Sequence, residues 1–539
     1  MTAIAPYRSA VGPGRDGFAQ LVHAEWTKFR TVRGWVVTIL VAALLTVGVD
    51  FLNHSQCGTV INGIQVGGCP QAPIGPNGEA VTDNFYFLHK PLTGDGTITV
   101  RVTSLAGLYP PTGGVQSSPS GQSPLAGLKP GVQPWAKAGI MIKASTAQGA
   151  AYASMLVTGG NGVRMQYDYT GDIAGLPGAA SAASPRWLRL VRNGNTVSGY
   201  DSLDGAHWDL VGSVQLSGLP KTAQAGLFTA SPSYTVINQS LGGGSGAGGP
   251  TLATAAFDHV GLSWPGGALA GTSVGGGGDA AAGTGAGGPF NGSFRQVGTA
   301  AFTVSGSGDI APDVTVAPDG NGSNLTQTLD ASTFFGLIAM LVIGAMFITA
   351  EYRRGLIKTT LAASPRRGRV LAAKALVIAA VTFVTGLIAT AIALPVGAAV
   401  LRGGGNWIAP VPGLTEARMI VGTAALMAVA SVLALAIGVI TRRGVAAVSA
   451  TIVLIAVPFL LVIIPGVLPA GVQDWLVRIF PVAGFAIQQE FPAYHQVLGN
   501  YAPGFGYYPL APLAGFAVLC AWAAVALAAA AYLLRRRDA

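Results

Sequence analysis

Long stretches without a single charge constrain this chain more than any other feature. They run between Arg33 and Asp50, Asp330 and Glu351, Lys374 and Arg402, Arg418 and Arg442, Arg443 and Asp474, and within Glu490 to Arg535. A helix needs about 20 apolar residues to cross roughly 30 Å of hydrocarbon. The second to fifth windows reach that length, and the sixth holds a dense apolar block from Leu510 to Leu534. The first suffices if Asp50 sits at the interface. Only 10% of the residues are charged, against about 25% in ordinary soluble domains. The expectation is six spans, at 35–51, 334–350, 370–401, 419–440, 445–468 and 510–534. Pro395, Pro458 and Pro465 do not oppose it, because membrane helices tolerate proline. No small-residue cleavage site follows the first apolar run, which is therefore read as retained.

Basic residues then predict which side is which. Arg8, Arg15, Lys28, Arg30 and Arg33 precede the first span; seven more lie from Arg353 to Lys374, followed by Arg442 and Arg443, and then Arg535 to Arg537. Against these stand four acids, Asp16, Glu25, Glu351 and Asp538. The opposite short loops and their flanks hold only Arg402, Arg418 and Arg478. The positive-inside rule places both termini and the 351–369 segment in the cytoplasm of a multi-pass protein of the plasma membrane. The +9 net charge is accounted for without nucleic acid.

The same threading displays 52–333 outside. Cys57 and Cys69 lie close together there, and an oxidising compartment favours a disulfide between them. No histidine has metal-ligand spacing, and no metal site is expected. The insert reads as all-β, with a sandwich over about 83–264. In TITVRV, Ile98, Val100 and Val102 alternate with polar residues, the pattern of a half-buried strand. Asn193-Gly194 marks a hairpin and Asp204-Gly205 a turn. GGGSGAGGP at 242–250 reads as a loop, 265–289 as a flexible Gly-rich linker, and 290–333 as a smaller strand-like piece. Asp201, Asp204 and Asp209 are acids in number enough for a glycosidase, but turn chemistry explains them more cheaply.

Two cytoplasmic segments carry more specific patterns. In LVHAEWTKFRTVRGW, Phe18, Leu21, Val22, Trp26 and Phe29 recur at helical spacing beside Lys28, Arg30 and Arg33, as in an interfacial helix. The N-terminal segment 1–34 is thus expected to lie on the membrane. Glu25 falls inside the stripe, where a carboxylate is costly unless paired. Arg353 or Arg354 is the expected partner; the alternative leaves Glu25 at the water boundary. In EYRRGLIKTTLAASPRRGR (351–369), Leu356, Ile357, Thr360 and Leu361 fall near one helical face, with Arg353, Arg354 and Lys358 largely elsewhere. Glu351 either pairs with Arg354 or simply ends its helix. The segment suits either a short amphipathic helix that docks on a cytoplasmic partner or a basic loop touching anionic lipid. Between the last two spans, 469–509 contains WLVRIFPVAGFAI, too apolar for a plain loop and read as a re-entrant or surface-lying helix.

These two segments resemble the elbow helix and the loop between spans two and three of actinobacterial permease subunits of the type-2 ATP-binding-cassette (ABC) exporter family. The resemblance covers 18–51 and 334–537. It implies that Glu25, Trp26 and Lys28 belong to the elbow helix. It also implies that Glu351, Arg353, Arg354, Leu356, Ile357, Lys358 and Leu361 couple the permease to an ATPase. No GxxxxGK[ST] phosphate loop occurs, so the chain is expected to be no enzyme and to hold no cofactor, with ATP and magnesium bound by a separate ATPase subunit. A second permease copy or a related permease is the other implied partner. The insert departs from the family pattern, and its strands resemble concanavalin-like sandwiches, a fold that often binds glycans. Trp135, Trp187 and Trp208, with Tyr167 and Tyr169, are candidates for stacking on sugar rings of a glycan or cell wall; the alternative makes them core or hairpin pairs. A membrane-anchored glycan-binding receptor or adhesin without transport is the competing function.

Overall fold

The chain divides where its hydrophobic pattern divides, alternating residues building sheets and unbroken apolar runs building helices. The computed structural model describes residues 17–52, 59–61, 64–66, 69, 71–109, 128–240, 243–275, 292–314, 324–363, 366–464, 467–499 and 501–536. Among these the helices are α1 (Phe18–Thr31), α2 (Arg33–Gly48, continued by a 3-10 turn to Leu52), α3 (Leu325–Arg353), α4 (Leu356–Ala363), α5 (Arg367–Gly403), α6 (Gly413–Thr441), α7 (Gly444–Ile463), α8 (Ala470–Ile479) and α9 (Pro512–Arg536). Six of them, α2 with its turn, α3, α5, α6, α7 and α9, are long and apolar enough to cross a membrane.

Their ends differ from those expected. The helix expected at 334–350 begins at Leu325, because Asn324 caps it by accepting the Thr326 N–H (2.7 Å). Asp330, expected at a boundary, is buried inside it and accepts a hydrogen bond from the Tyr508 hydroxyl (2.8 Å). At 37 residues, α5 measures roughly 55 Å, well beyond the hydrocarbon thickness. It includes Pro395, as α7 includes Pro458; Pro465 lies outside the described residues. At the centre, α3 and α6 touch backbone to backbone. A Cβ on Gly344 would stand 2.3 Å from the Ser431 carbonyl oxygen, so this approach requires glycine.

The strands form two large antiparallel sheets. One, seven-stranded, runs in the order Gly171–Ala174, Val163–Tyr167, Tyr152–Thr158, Lys137–Lys143, Thr222–Ala230, Phe85–Thr93, Ala270–Val274. The other runs Asp209–Gln215, Thr196–Ser202, Arg186–Asn193, Gly96–Tyr109, Leu252–Leu262, Ala301–Gly306, Ser293–Gly298, with Lys129–Pro130 also pairing Gly96–Tyr109. They share one core. Ile98, Val100 and Val102 meet Leu88, Ile140 and Leu227 in it, the inward half of each alternating strand.

Four expectations for this region are corrected. The Gly-rich 242–250 stretch is no loop: Gly243–Gly249 pairs with Tyr234–Ser240. Ala270–Val274, expected in the linker, is an edge strand, and Ser293–Gly298 and Ala301–Gly306 extend the second sheet instead of forming a separate piece. Backbone groups supply strand hydrogen bonds whatever the side chain, so glycine content misled. The hairpin loop is Gly194-Asn195, with Gly194 at φ 61° and Asn193 paired to Thr196, one residue beyond the expected Asn193-Gly194. Cys69 is disulfide-bonded; Cys57 lies outside the described residues.

Two buried lysines fasten an outer layer to the seven-stranded sheet. Lys143, fully buried, donates to Asp83 (2.7 Å) and to the Ala150 carbonyl (3.0 Å), and Tyr169 donates to the same Asp83 oxygen (2.7 Å). Lys137 meets Asp309 (2.6 Å). Asp83 ends the strand Val81–Asp83, which pairs antiparallel with Ile310–Pro312, and Asp309 directly precedes that second strand. Burial pulls the Lys143 ammonium pKa down, and Asp83 opposes it. Removing one partner of a buried pair costs about 3–5 kcal/mol. Lys143→Met is therefore expected to lower the thermal unfolding midpoint of the sheet region strongly; an unchanged midpoint would count against the pair.

The sheets sit at the end of the bundle where α5 finishes. Cys69 N–H donates to the Gly405 carbonyl (2.8 Å), and Gln496 Nε2 donates to the Tyr169 carbonyl (3.1 Å). The WLVRIFPVAGFAI segment resolves into two parts. In α8, Val472, Trp475 and Ile479 are exposed, and the 3-10 segment Pro481–Gln488 is wholly buried. Gln488 Nε2 donates to the Thr333 and Thr423 hydroxyls (2.7 and 2.8 Å), fixing the segment between α3 and α6. Next to it, Glu490 accepts the Leu325 N–H (3.2 Å). Burial pushes its carboxyl up to about 7 from an ordinary 4.5, against the opposing pull of the Leu325 and Thr326 amides. Between those pH values the folded chain holds a proton that the unfolded chain has released, so stability falls as pH rises through that window. Glu490→Gln is expected to flatten the dependence of unfolding midpoint on pH between 5 and 8.

Candidate functional site

At the opposite end of the bundle, four charges meet in an apolar setting. The stripe on α1 divides: Val22 and Phe29 pack into the bundle, whereas Phe18 and Trp26 face outward. Glu25 lies on the inner side and is 3% exposed. Lys374, two turns into α5, has 0% exposure, and Glu351 ends α3, buried. Lys374 Nζ stands 2.6 Å from Glu25 Oε2 and 2.7 Å from Glu351 Oε1. Lys28 closes the cluster from the rim, 2.8 Å from Glu25 and 3.2 Å from Glu351, with 42% of its side chain exposed. Two carboxylates and two ammonium groups thus give a neutral cluster.

Aromatic rings wall it. The Lys374 ammonium lies over the Phe347 ring at 4.9 Å, Phe29 meets Phe347 edge-on (centroids 5.8 Å apart), and Trp35 does the same from α2 (6.1 Å). These rings exclude water, so the charges hold one another in low dielectric. Three elements far apart in sequence are joined: the interfacial helix α1 and the bundle helices α3 and α5.

The pairing differs from expectation. Glu25 bonds neither Arg353 nor Arg354, and Glu351 does not pair with Arg354. Both arginines are exposed, because α3 ends at Arg353 and Gly355, at φ 69°, redirects the chain into α4. In the sequence Lys374 marks only the edge of an uncharged window. The signal was present: a lone cation two turns inside an apolar helix needs a partner. In α4 the predicted face also divides. Ile357 is buried in the same apolar cluster as Phe29 and Phe347, whereas Leu356 and Lys358 are exposed. Leu361 lies in the α4 backbone. The outcome is an exposed basic surface, Arg353, Arg354, Leu356 and Lys358, where the helix that carries Glu351 ends and α4 begins.

The aromatic candidates on the sheets do not form one site. Trp135 and Tyr169 are buried, and Tyr167 packs against the core. Trp187 and Trp208 are partly exposed near one another, but Arg101 lies over Trp187 (5.6 Å) and Arg189 covers Trp208 (3.8 Å). The nearby acids are engaged locally. Asp204 accepts the amides of Ala206 and His207 (both 2.8 Å), and Asp201 accepts that of Leu176 (2.7 Å).

Comparison with known proteins gives little. No sequence-family profile and no curated protein matches the chain. Among solved structures, similarity is found to a functionally unknown protein from Saccharomyces cerevisiae (18% identity, 38% of this chain and 86% of that one, TM-score 0.20). It is also found to scytalido-glutamic peptidase with a transition state analog inhibitor (10% identity, 42% and 98%, TM-score 0.23) and to sheep galectin-11 in complex with glycerol (12% identity, 27% and 93%, TM-score 0.15). Likeness of this degree says nothing of activity.

The cluster makes a graded prediction. Lys374→Met leaves two buried carboxylates with only the half-exposed Lys28 to neutralise them and is expected to cost about 3–5 kcal/mol. Lys28→Met removes a half-exposed partner and is expected to cost about 0–1 kcal/mol. Thermal unfolding of the purified protein in detergent measures both. Combining Lys374→Met with Glu25→Gln and Glu351→Gln should recover much of the loss; no recovery would mean that Lys374 acts through packing alone.

Proposed function

We propose that this chain is the permease subunit of an ABC-type exporter, spanning the membrane six times, with its sheets forming a concanavalin-like sandwich outside and its termini in the cytoplasm. A separate ATPase subunit binds ATP and magnesium and presses on α4. A second copy or a related permease completes the pathway. The observation that carries this reading is the buried cluster of Glu25, Lys28, Glu351 and Lys374 beside the exposed basic surface where α3 passes into α4. An anchor for a surface domain has no need of such a joint. A permease driven from the cytoplasm does, because force on α4 must reach several helices together. Ile357 seats α4 against Phe29 and Phe347, so a push there passes into α1, α3 and α5 as one body, the kind of rigid-body motion that alternates access. The basic residues crowd this end of the bundle, which supports its cytoplasmic side.

The competing receptor or adhesin makes the sandwich the working part. The partly exposed Trp187 and Trp208 favour it, and the arginines laid over both rings oppose it. Pull-down of the full chain from native membranes separates the two. A soluble ATPase is expected to co-purify and to be lost when 353–361 is scrambled. An intact, folded chain with no ATPase partner would support the receptor instead.

A further inference from the structure

A second basic feature lies at the same end of the bundle, at the start of α5 just beyond α4. The first turn of α5 and the last turn of α9 enclose an open cavity of about 480 Å³ lined by Arg366, Arg367, Gly368, Arg369 and Arg535. A water's share of liquid volume is about 30 Å³, so the space admits a group of many atoms. Arg367 Nη1 donates to the Leu534 carbonyl (2.7 Å) and ties the two helix ends together. Arg536 turns aside onto Tyr532, 4.7 Å from its ring, leaving Arg535 to the cavity.

Among the described residues this arrangement gathers positive charge. A helix begins with the positive end of its dipole and unbonded amides, where acids are favoured and cations disfavoured. Here α5 starts with Arg366 as N-cap residue, no side-chain cap and no acid in the first turn, and Arg367 and Arg369 follow. None of the ion pairs among the described residues involves Arg366, Arg369 or Arg535. Arg366, Arg369 and Arg535 therefore face one cavity at the uncapped start of α5, and among the described residues no acid lines it. The matching ligand is a phosphate group, which takes paired N–H donors from arginine and single ones from backbone amides.

We propose that this cavity binds the phosphate of an anionic lipid headgroup at the membrane surface. Two neighbours favour a lipid over a soluble phosphate. Leu376, two turns beyond Arg369 on α5, and Tyr532, one turn before Arg535 on α9, are both exposed and sit on the helix faces that carry those arginines. They offer apolar contact for glycerol and acyl carbons beside the charge. The inference rests on the membrane reading above but not on an ATPase partner.

The full chain, placed in nanodiscs of phosphatidylcholine alone or with phosphatidylglycerol, provides the test. Incorporation into the neutral discs checks the membrane reading separately. Native mass spectrometry is expected to show retained phosphatidylglycerol on the wild type. Retention should fall about fivefold for each arginine removed in the variant Arg366→Gln, Arg369→Gln, Arg535→Gln, which spares the tie made by Arg367. Arg369→Gln alone serves if the triple variant does not fold. Protection of the wild type against heat by inorganic pyrophosphate in neutral discs, absent in the variant, together with equal phosphatidylglycerol retention in wild type and variant, would keep the phosphate site but overturn the lipid source. Equal retention and equal protection in wild type and variant would overturn the site itself.

Discussion

The structure depends on keeping one charge, that of Lys374, inside an apolar bundle. An isolated ammonium there would be prohibitive. Its neutralisation requires Glu25 and Glu351 together at 2.6 and 2.7 Å. Each of those lies on a different element, so the charge dictates where α1 and the end of α3 must be relative to α5. A purely apolar contact would allow α1 to slide or rotate along the bundle. A buried charge with two required partners does not, and this is the best-attested use of such groups.

The two ends of the bundle are fastened by different physics. At the α4 end, the joint is ionic and walled by Phe29, Trp35 and Phe347. At the other end, neutral hydrogen bonds seat Pro481–Gln488 through Thr333 and Thr423. The sheets touch down there through backbone carbonyls at Gly405 and Tyr169. An apolar cluster of Ala311, Val314 and Val497, with Tyr494 and Tyr501 against it, adds contact between sheet region and bundle. An event at α4 and an event at the sheets are therefore separated by the length of α3 and α5, which run between the two ends.

Much of this was legible from composition and spacing. Uncharged windows located the apolar helices, and alternation in TITVRV placed Ile98, Val100 and Val102 in the sheet core. Misplacement of Glu25 in its stripe marked a buried carboxylate. Partners were not legible. Arg353 and Arg354 stand nearest to Glu351 in sequence, yet Gly355 turns the chain so that both reach water, and Lys374, 23 residues beyond Glu351, supplies the charge. The Gly-rich strand Gly243–Gly249 was hidden for a related reason, since its pairing depends on the neighbouring backbone and not on its own side chains.

By itself the sequence determined which segments leave water, because that follows from local counts of apolar and charged groups. It also determined that positive charge gathers at helix ends on one side of the bundle. Only the tertiary structure decided which charges neutralise one another, how the aromatic faces are used and which arginines from distant helix ends share one cavity. Those outcomes are set by distances of a few ångströms between residues far apart in the chain, and Coulomb and hydrogen-bond energies turn on such distances, not on sequence order.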